Sequence, residues 1–190
     1  MAYVFELTFD PATEAAIRAI WQRIADAGLP SSLDAAGYRP HISLAVYDVG
    51  QFDADSCYQK VAFYARTASP FPVHLSHVGV FVNWENVVFL GVTPTEMLLA
   101  RHQEVLDLCR GQREHLRHYY APGLWTPHVT LSFNLTQAQA RAILANAWGM
   151  ELPLSGTVRA LHLVEVTPEY ARDIFTCEFA AQIEGETGGQ

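Results

Sequence analysis

The chain has 190 residues, of which half are hydrophobic, 17% charged and 12% aromatic, and this excludes a disordered tail, a collagen-like fibre and a coiled coil. That length suits one compact domain or two small fused lobes around a sizeable core. Twelve basic residues face 20 acidic ones, a formal charge of −8, which does not suit extended non-specific binding to DNA or RNA and leaves room only for a local basic patch.

Residues 3–9 alternate as a strand, and Asp10-Pro11 reads as helix N-cap followed by the first helical position. Ile17, Ile20, Trp21 and Ile24 recur as an amphipathic stripe, and Gly28 ends that helix. A loop over 28–40 leads to a short apolar strand, Ile42 to Tyr47, and residues 53–68 read as a helix. The β-rich stretches 71–82 and 87–92 flank Asn83-Trp84-Glu85-Asn86, a hairpin turn by length and residue type. Thr93-Pro94 opens what the pattern makes the longest helix, running to about Gly111. A loop over 112–126, a strand over 128–133 and a helix capped by Thr136 and running to about Trp148 follow. Strands near 156–166 and 173–181 close the chain through a Thr167-Pro168-Glu169 turn. Residues 1–183 are expected to form one bilobal domain, with a disordered polar tail over 184–190. Helices and hairpins alternate irregularly, so an α+β fold is expected over a parallel doubly wound sheet.

Cys57, Cys109 and Cys177 are odd in number and widely spaced, so neither a disulfide framework nor a zinc site is expected. Residues 1–9 lack a signal-peptide pattern and no stretch approaches the length of a membrane span. A cytoplasmic protein with no membrane partner is the expectation.

One short pattern occurs twice. Pro40-His41-Ile42-Ser43-Leu44 begins one apolar strand, and Pro127-His128-Val129-Thr130-Leu131 begins another, 87 residues later. Side chains alternate faces along a strand, so His41 and Ser43 share one face while Ile42 and Leu44 take the other. His128 and Thr130 are placed likewise. If the strands lie close, two imidazoles and two hydroxyls converge. That set suits in-line displacement at phosphorus: one neutral histidine takes a proton from the attacking oxygen, and the other, protonated, gives one to the leaving oxygen. An unperturbed histidine pKa of about 6.5 lets both states coexist near neutrality. Ser43 and Thr130 can donate to the non-bridging phosphate oxygens, and no metal or cofactor is expected.

At these residues the sequence resembles the 2H phosphoesterases, which include bacterial 2′–5′ RNA ligase-like proteins and RNA 2′,3′-cyclic phosphodiesterases. His41-Ile42-Ser43-Leu44 and His128-Val129-Thr130-Leu131 match that family's paired His-x-Ser/Thr-hydrophobic motifs, and the segment Val78–Phe81 to Val87–Val92 resembles the hairpin between them. The resemblance covers roughly residues 1–180. It implies a bilobal fold of two pseudo-symmetric antiparallel sheets, helices outside, with the motifs lining a central cleft. It implies metal-free hydrolysis of 2′,3′-cyclic phosphates on RNA ends or small nucleotides, with 2′–5′ RNA ligation by the same residues as the alternative. A non-catalytic nucleotide-binding module is a third reading, weakened because all four motif side chains are intact. Ser132-Phe133-Asn134 stands where ligase-like members often carry an arginine, so the phosphate lacks an expected guanidinium.

The segment 110–120 holds three arginines against one glutamate, and Arg113 and Arg117 are candidate phosphate or RNA contacts. Tyr38 and Trp125, each within three residues of a motif histidine, are the favoured base-stacking candidates, ahead of Trp84 and of Phe81, which reads better as packing. His74 and His77, His115 and His118, and His102 form no ligand pattern, and His162 shows no partner in the sequence.

Overall fold

The computed structural model describes residues 1–31, 33–34, 36–48, 52–167 and 170–180. Its strands are β1 (Ala2–Phe9), β2 (Ile42–Asp48), β3 (Phe71–Phe81), β4 (Val87–Val92), β5 (His128–Ser132), β6 (Leu154–Val166) and β7 (Ala171–Glu178). Its helices are α1 (Pro11–Asp26), α2 (Ala54–Thr67), α3 (Glu96–Leu108) and α4 (Gln137–Asn146). The tail over 184–190 and most of the Thr167-Pro168-Glu169 turn lie outside the described residues.

Local chemistry starts the helices where the sequence says it should. Asp10 caps α1 by accepting from the backbone N–H of Ala12 and Thr13, and Pro11 fills the first helical position, where its missing N–H costs nothing. Ile17, Trp21 and Ile24 turn inward from α1. Thr136 and Gln139 form a reciprocal capping box on α4. Asn86 takes a left-handed conformation (φ 46°) to close the hairpin between β3 and β4.

All the pairings are antiparallel, in the order β2-β1-β6-β3-β4-β5, with β7 also on β6. Two halves with the same plan are visible. In one, β1-α1-β2 is a strand, a helix and an antiparallel return; in the other, β4-α3-β5 repeats it. The third strand of each half crosses over: β3 pairs with β4 and β6 pairs with β1. The expected two sheets are therefore two halves of one hydrogen-bonded sheet, because the first residues of β6, Leu154 to Val158, also pair with β3. One hydrophobic core runs through both halves and includes Leu7, Ile42, Leu44, Leu90, Val129 and Leu131.

Two element readings need correction. The longest helix is α1, with 16 residues; α3 has 13, because after Leu108 the chain tightens into a 3-10 turn over 110–115. The expected loop over 112–126 contains that turn's end and another at 118–120. No helix of the described residues is long and apolar enough to cross a membrane.

Candidate active site

The two motifs are built alike to the residue. Ile42 and Leu44, like Val129 and Leu131, are buried, while His41, Ser43, His128 and Thr130 keep partial access to solvent. Each motif carries a register shift at its leucine: Phe5 faces Ala45 and Glu6 faces Ser43, just as Val88 faces Ser132 and Phe89 faces Thr130. A bulge of this kind re-aims the side chains around it.

Each histidine is oriented by the same bond. His41 Nδ1 lies 2.8 Å from the Arg39 carbonyl, and His128 Nδ1 lies 2.8 Å from the Thr126 carbonyl. A carbonyl only accepts, so Nδ1 carries the proton in both rings. The neutral ring then offers a bare Nε2, and the charged ring offers Nε2–H. A tryptophan of each half braces the motif strand of the other: Trp125 Nε1 donates to the Ser43 carbonyl at 3.0 Å, and Trp21 Nε1 donates to the Thr130 carbonyl at 3.1 Å.

Strands β2 and β5 touch, and the rings are close enough for a charge on His41 to oppose one on His128. Beside His128 lies a cavity of about 650 Å³, lined by Phe81, Trp84, Arg117, Tyr119, Tyr120, Trp125 and Thr130 among others. Its rim is apolar: Trp84 is 84% and Tyr119 75% exposed. Tyr120 connects the motifs, since it lines this cavity while Ser43 draws its phenol pKa down against the burial that raises it.

The surroundings of the two histidines differ. His128 packs edge-on to Phe81 (centroids 4.9 Å apart) and against Phe89 (5.2 Å). Burial pushes its pKa below the ordinary histidine value, against the Thr126 carbonyl, which pulls it up, and with the help of the His41 charge. His41 Nε2 instead lies 3.5 Å from the Glu6 carboxylate, which is 4% exposed. Burial raises the Glu6 pKa, and the charges of His41 and Arg39 draw it back.

The other sequence candidates separate. Trp125 and Arg117 line the cavity; Trp125 stacks on buried His102 (centroids 4.1 Å), and Arg117 Nε donates to Asp48 at 2.8 Å. Phe81 and Trp84 also line it, so Phe81 does more than pack. Arg113 does not belong to this wall: it pairs with Asp107, 2.9 Å away, because the 3-10 turn carries it back toward α3. Tyr38 is not among the cavity's lining residues and meets Phe133 edge to face. His162, without a partner in the sequence, has Thr8, Thr176 and Arg39 around its ring. Sequence reasoning missed Glu6, Arg39, Phe89 and Tyr120. The signal for Glu6 was legible, a single acid inside the apolar run Val4-Phe5-Glu6-Leu7. Among the described residues no group of three or more His, Cys, Asp or Glu is placed to hold a metal ion.

This is a pseudo-symmetric α+β fold with one His-x-Ser/Thr motif per half. The sequence model of the 2′-5′ RNA ligase superfamily matches residues 8–168, and the chain belongs to that superfamily. No curated protein sequence matches it. Among solved structures it is similar to TT0787 of Thermus thermophilus, at TM-score 0.65 and 15% identity over 96% of this chain and all of the other. It is similar to Escherichia coli LigT, solved with 3′-AMP, at TM-score 0.62 and 15% identity over 93% of this chain and 97% of the other. Usb1 of Kluyveromyces marxianus follows at TM-score 0.50 and 12% identity, over 94% and 98%.

Proposed function

We propose that this protein is a phosphoesterase that opens 2′,3′-cyclic phosphates on RNA ends or small nucleotides, with His128 as general base and His41 as general acid. The observation that carries the reading is the matched pair of Nδ1–carbonyl bonds, which leaves the Nε2 atoms of both rings to the cleft. His128, in aromatic surroundings that disfavour its charged form, takes a proton from water as the water oxygen bonds to phosphorus. His41, beside a carboxylate, gives its Nε2 proton to the ribose oxygen as the P–O bond breaks. Ser43 and Thr130 stand in line with the histidines on β2 and β5, where their hydroxyls can donate to the phosphate oxygens. The aromatic rim beside His128 suits a nucleobase, and the complex of similar LigT with 3′-AMP agrees with a nucleotide in this cleft. Among the described residues Arg117 is the one arginine on the cavity wall, and it is already engaged by Asp48, which favours a short substrate over a long RNA.

The test is hydrolysis of the four nucleoside 2′,3′-cyclic monophosphates in EDTA by the wild type, His41→Ala and His128→Ala. A bell-shaped pH–rate profile is expected, with losses of about 10²–10⁴-fold in either variant while circular dichroism stays native. Activity abolished by EDTA, or retained in both variants, refutes the proposal. Joining of RNA halves without hydrolysis would move the activity to ligation by the same residues.

A further inference from the structure

The two motifs match in kind, residue by residue, but the halves differ in chemistry where β1 and β4 face the motif hydroxyls. There one half has Phe89, opposite Thr130, and the other has Glu6, opposite Ser43. An aromatic ring in a sheet interior follows from packing alone. A carboxylate there does not, because burying it costs free energy unless it acquires a partner. The partner at hand is His41: Glu6 Oε1 is 3.5 Å from Nε2, while Nδ1 of the same ring is already committed to the Arg39 carbonyl. Glu6 therefore acts on the nitrogen that faces the reaction. The separation is long for a hydrogen bond but close for a charge, so Nε2–H stays free to reach a substrate oxygen.

The neighbouring charges leave this pair in balance. Arg39 and Asp173 pair with each other. His162 takes a hydrogen bond from Arg39, so its ring is neutral. Tyr38 and Tyr120 feel the Glu6 charge, and burial with that charge keeps both phenols protonated. His128 lies on the far side and is favoured neutral. Glu6 thus faces His41 first, with Arg39 as a second positive neighbour and Asp173 opposing them.

We propose that Glu6 is a positioning residue of the active site: its carboxylate, facing His41 Nε2, favours the charged imidazole over the neutral one and so makes His41 the acid of the pair. This rests on the phosphoesterase reading of His41 and His128. Glu6→Gln preserves the shape and removes the charge. The alkaline limb of the kcat/KM profile for a 2′,3′-cyclic nucleotide is expected to move to lower pH by about one unit or more. Glu6→Asp, which keeps the charge, should restore much of the wild-type limb. From the other side, the ¹³C titration of the Glu6 carboxyl should move further up in His41→Gln, because that variant removes the positive neighbour. A Glu6→Gln profile that superimposes on wild type, with His41→Ala inactive, overturns the role of Glu6 and leaves the phosphoesterase reading standing. Full turnover by His41→Ala overturns that reading instead. Should Glu6→Gln not fold, the carboxyl titration decides: a midpoint unmoved by His41→Gln overturns the inference.

Discussion

His162 offers a quantitative test of the polar wall behind His41. It is 4% exposed on β6, with Thr8 Oγ1 and Thr176 Oγ1 each at 2.9 Å and Arg39 Nη1 at 3.0 Å. Arginine only donates, so the ring nitrogen facing it is bare and the imidazole is neutral. Burial, then the charge of Arg39, pushes the pKa down to about 4, while the unfolded chain should show about 6.5. The folded state thus binds the neutral ring more favourably than the charged one. Above pH 6.5 both states are neutral at this ring and its contribution is complete. As pH falls toward 4, the unfolded chain takes up a proton that the folded chain refuses, and stability drains away. At pH 5 the loss from this ring is about 2 kcal/mol, and below pH 4 it reaches about 3 kcal/mol. His162→Gln keeps a donor and an acceptor at the site but cannot titrate. Urea unfolding followed by tryptophan fluorescence at pH 7.5 and pH 5.0 measures the difference. Wild type should lose about 2 kcal/mol more than His162→Gln over that interval. Equal losses in the two proteins would refute a neutral, buried His162.

Asp10→Ala removes an acceptor used by Ala12, Thr13 and, across the sheet, the Thr157 N–H, so thermal unfolding should show a loss near the upper end of cap effects, about 2 kcal/mol. Gly91→Ala would place a Cβ 2.1 Å from the His77 ring; melting temperature should fall, and the double variant His77→Ala/Gly91→Ala should recover most of the loss, since His77 is exposed and its ring is the obstacle. Trp84→Ala at the cavity rim should raise KM for a cyclic nucleotide about tenfold with little change in kcat, the signature of lost base stacking in steady-state kinetics.

What the sequence made legible is what short range determines. Asp10-Pro11, Thr136 with Gln139, and the Asn83–Asn86 turn each act on backbone within a few residues, so their reading needs no knowledge of the fold. The motifs were legible for a similar reason: strand alternation alone separates His41 and Ser43 from Ile42 and Leu44. The partners of the histidines were not, because pairing between distant strands supplies them. Glu6 meets His41 only through the β1–β2 register, and Thr8 meets His162 from 154 residues away. Arg113 and Arg117 looked equivalent in a basic segment, yet a 3-10 turn sends one toward Asp107 and the other to the cavity. The crossing of β3 and β6 between halves is equally silent in the sequence, since either strand could have stayed with its own half.

A duplicated frame answers half of what two-histidine chemistry requires and creates the other half of the problem. Repeating strand, helix, strand and bulge places two imidazoles in matching orientations, each with Nδ1 held by a carbonyl two residues earlier. Left identical, the rings would titrate alike and compete for the same protonation state, whereas acid and base must differ at one pH. The difference enters one strand away from the motifs, where the fold tolerates a change without moving either histidine. Phe89 and Phe81 bury His128 among rings that bring no counter-charge; Glu6 gives His41 a carboxylate that does. In the proposed mechanism, backbone symmetry sets where the protons are exchanged, and the unequal β1 and β4 side chains set which way they flow.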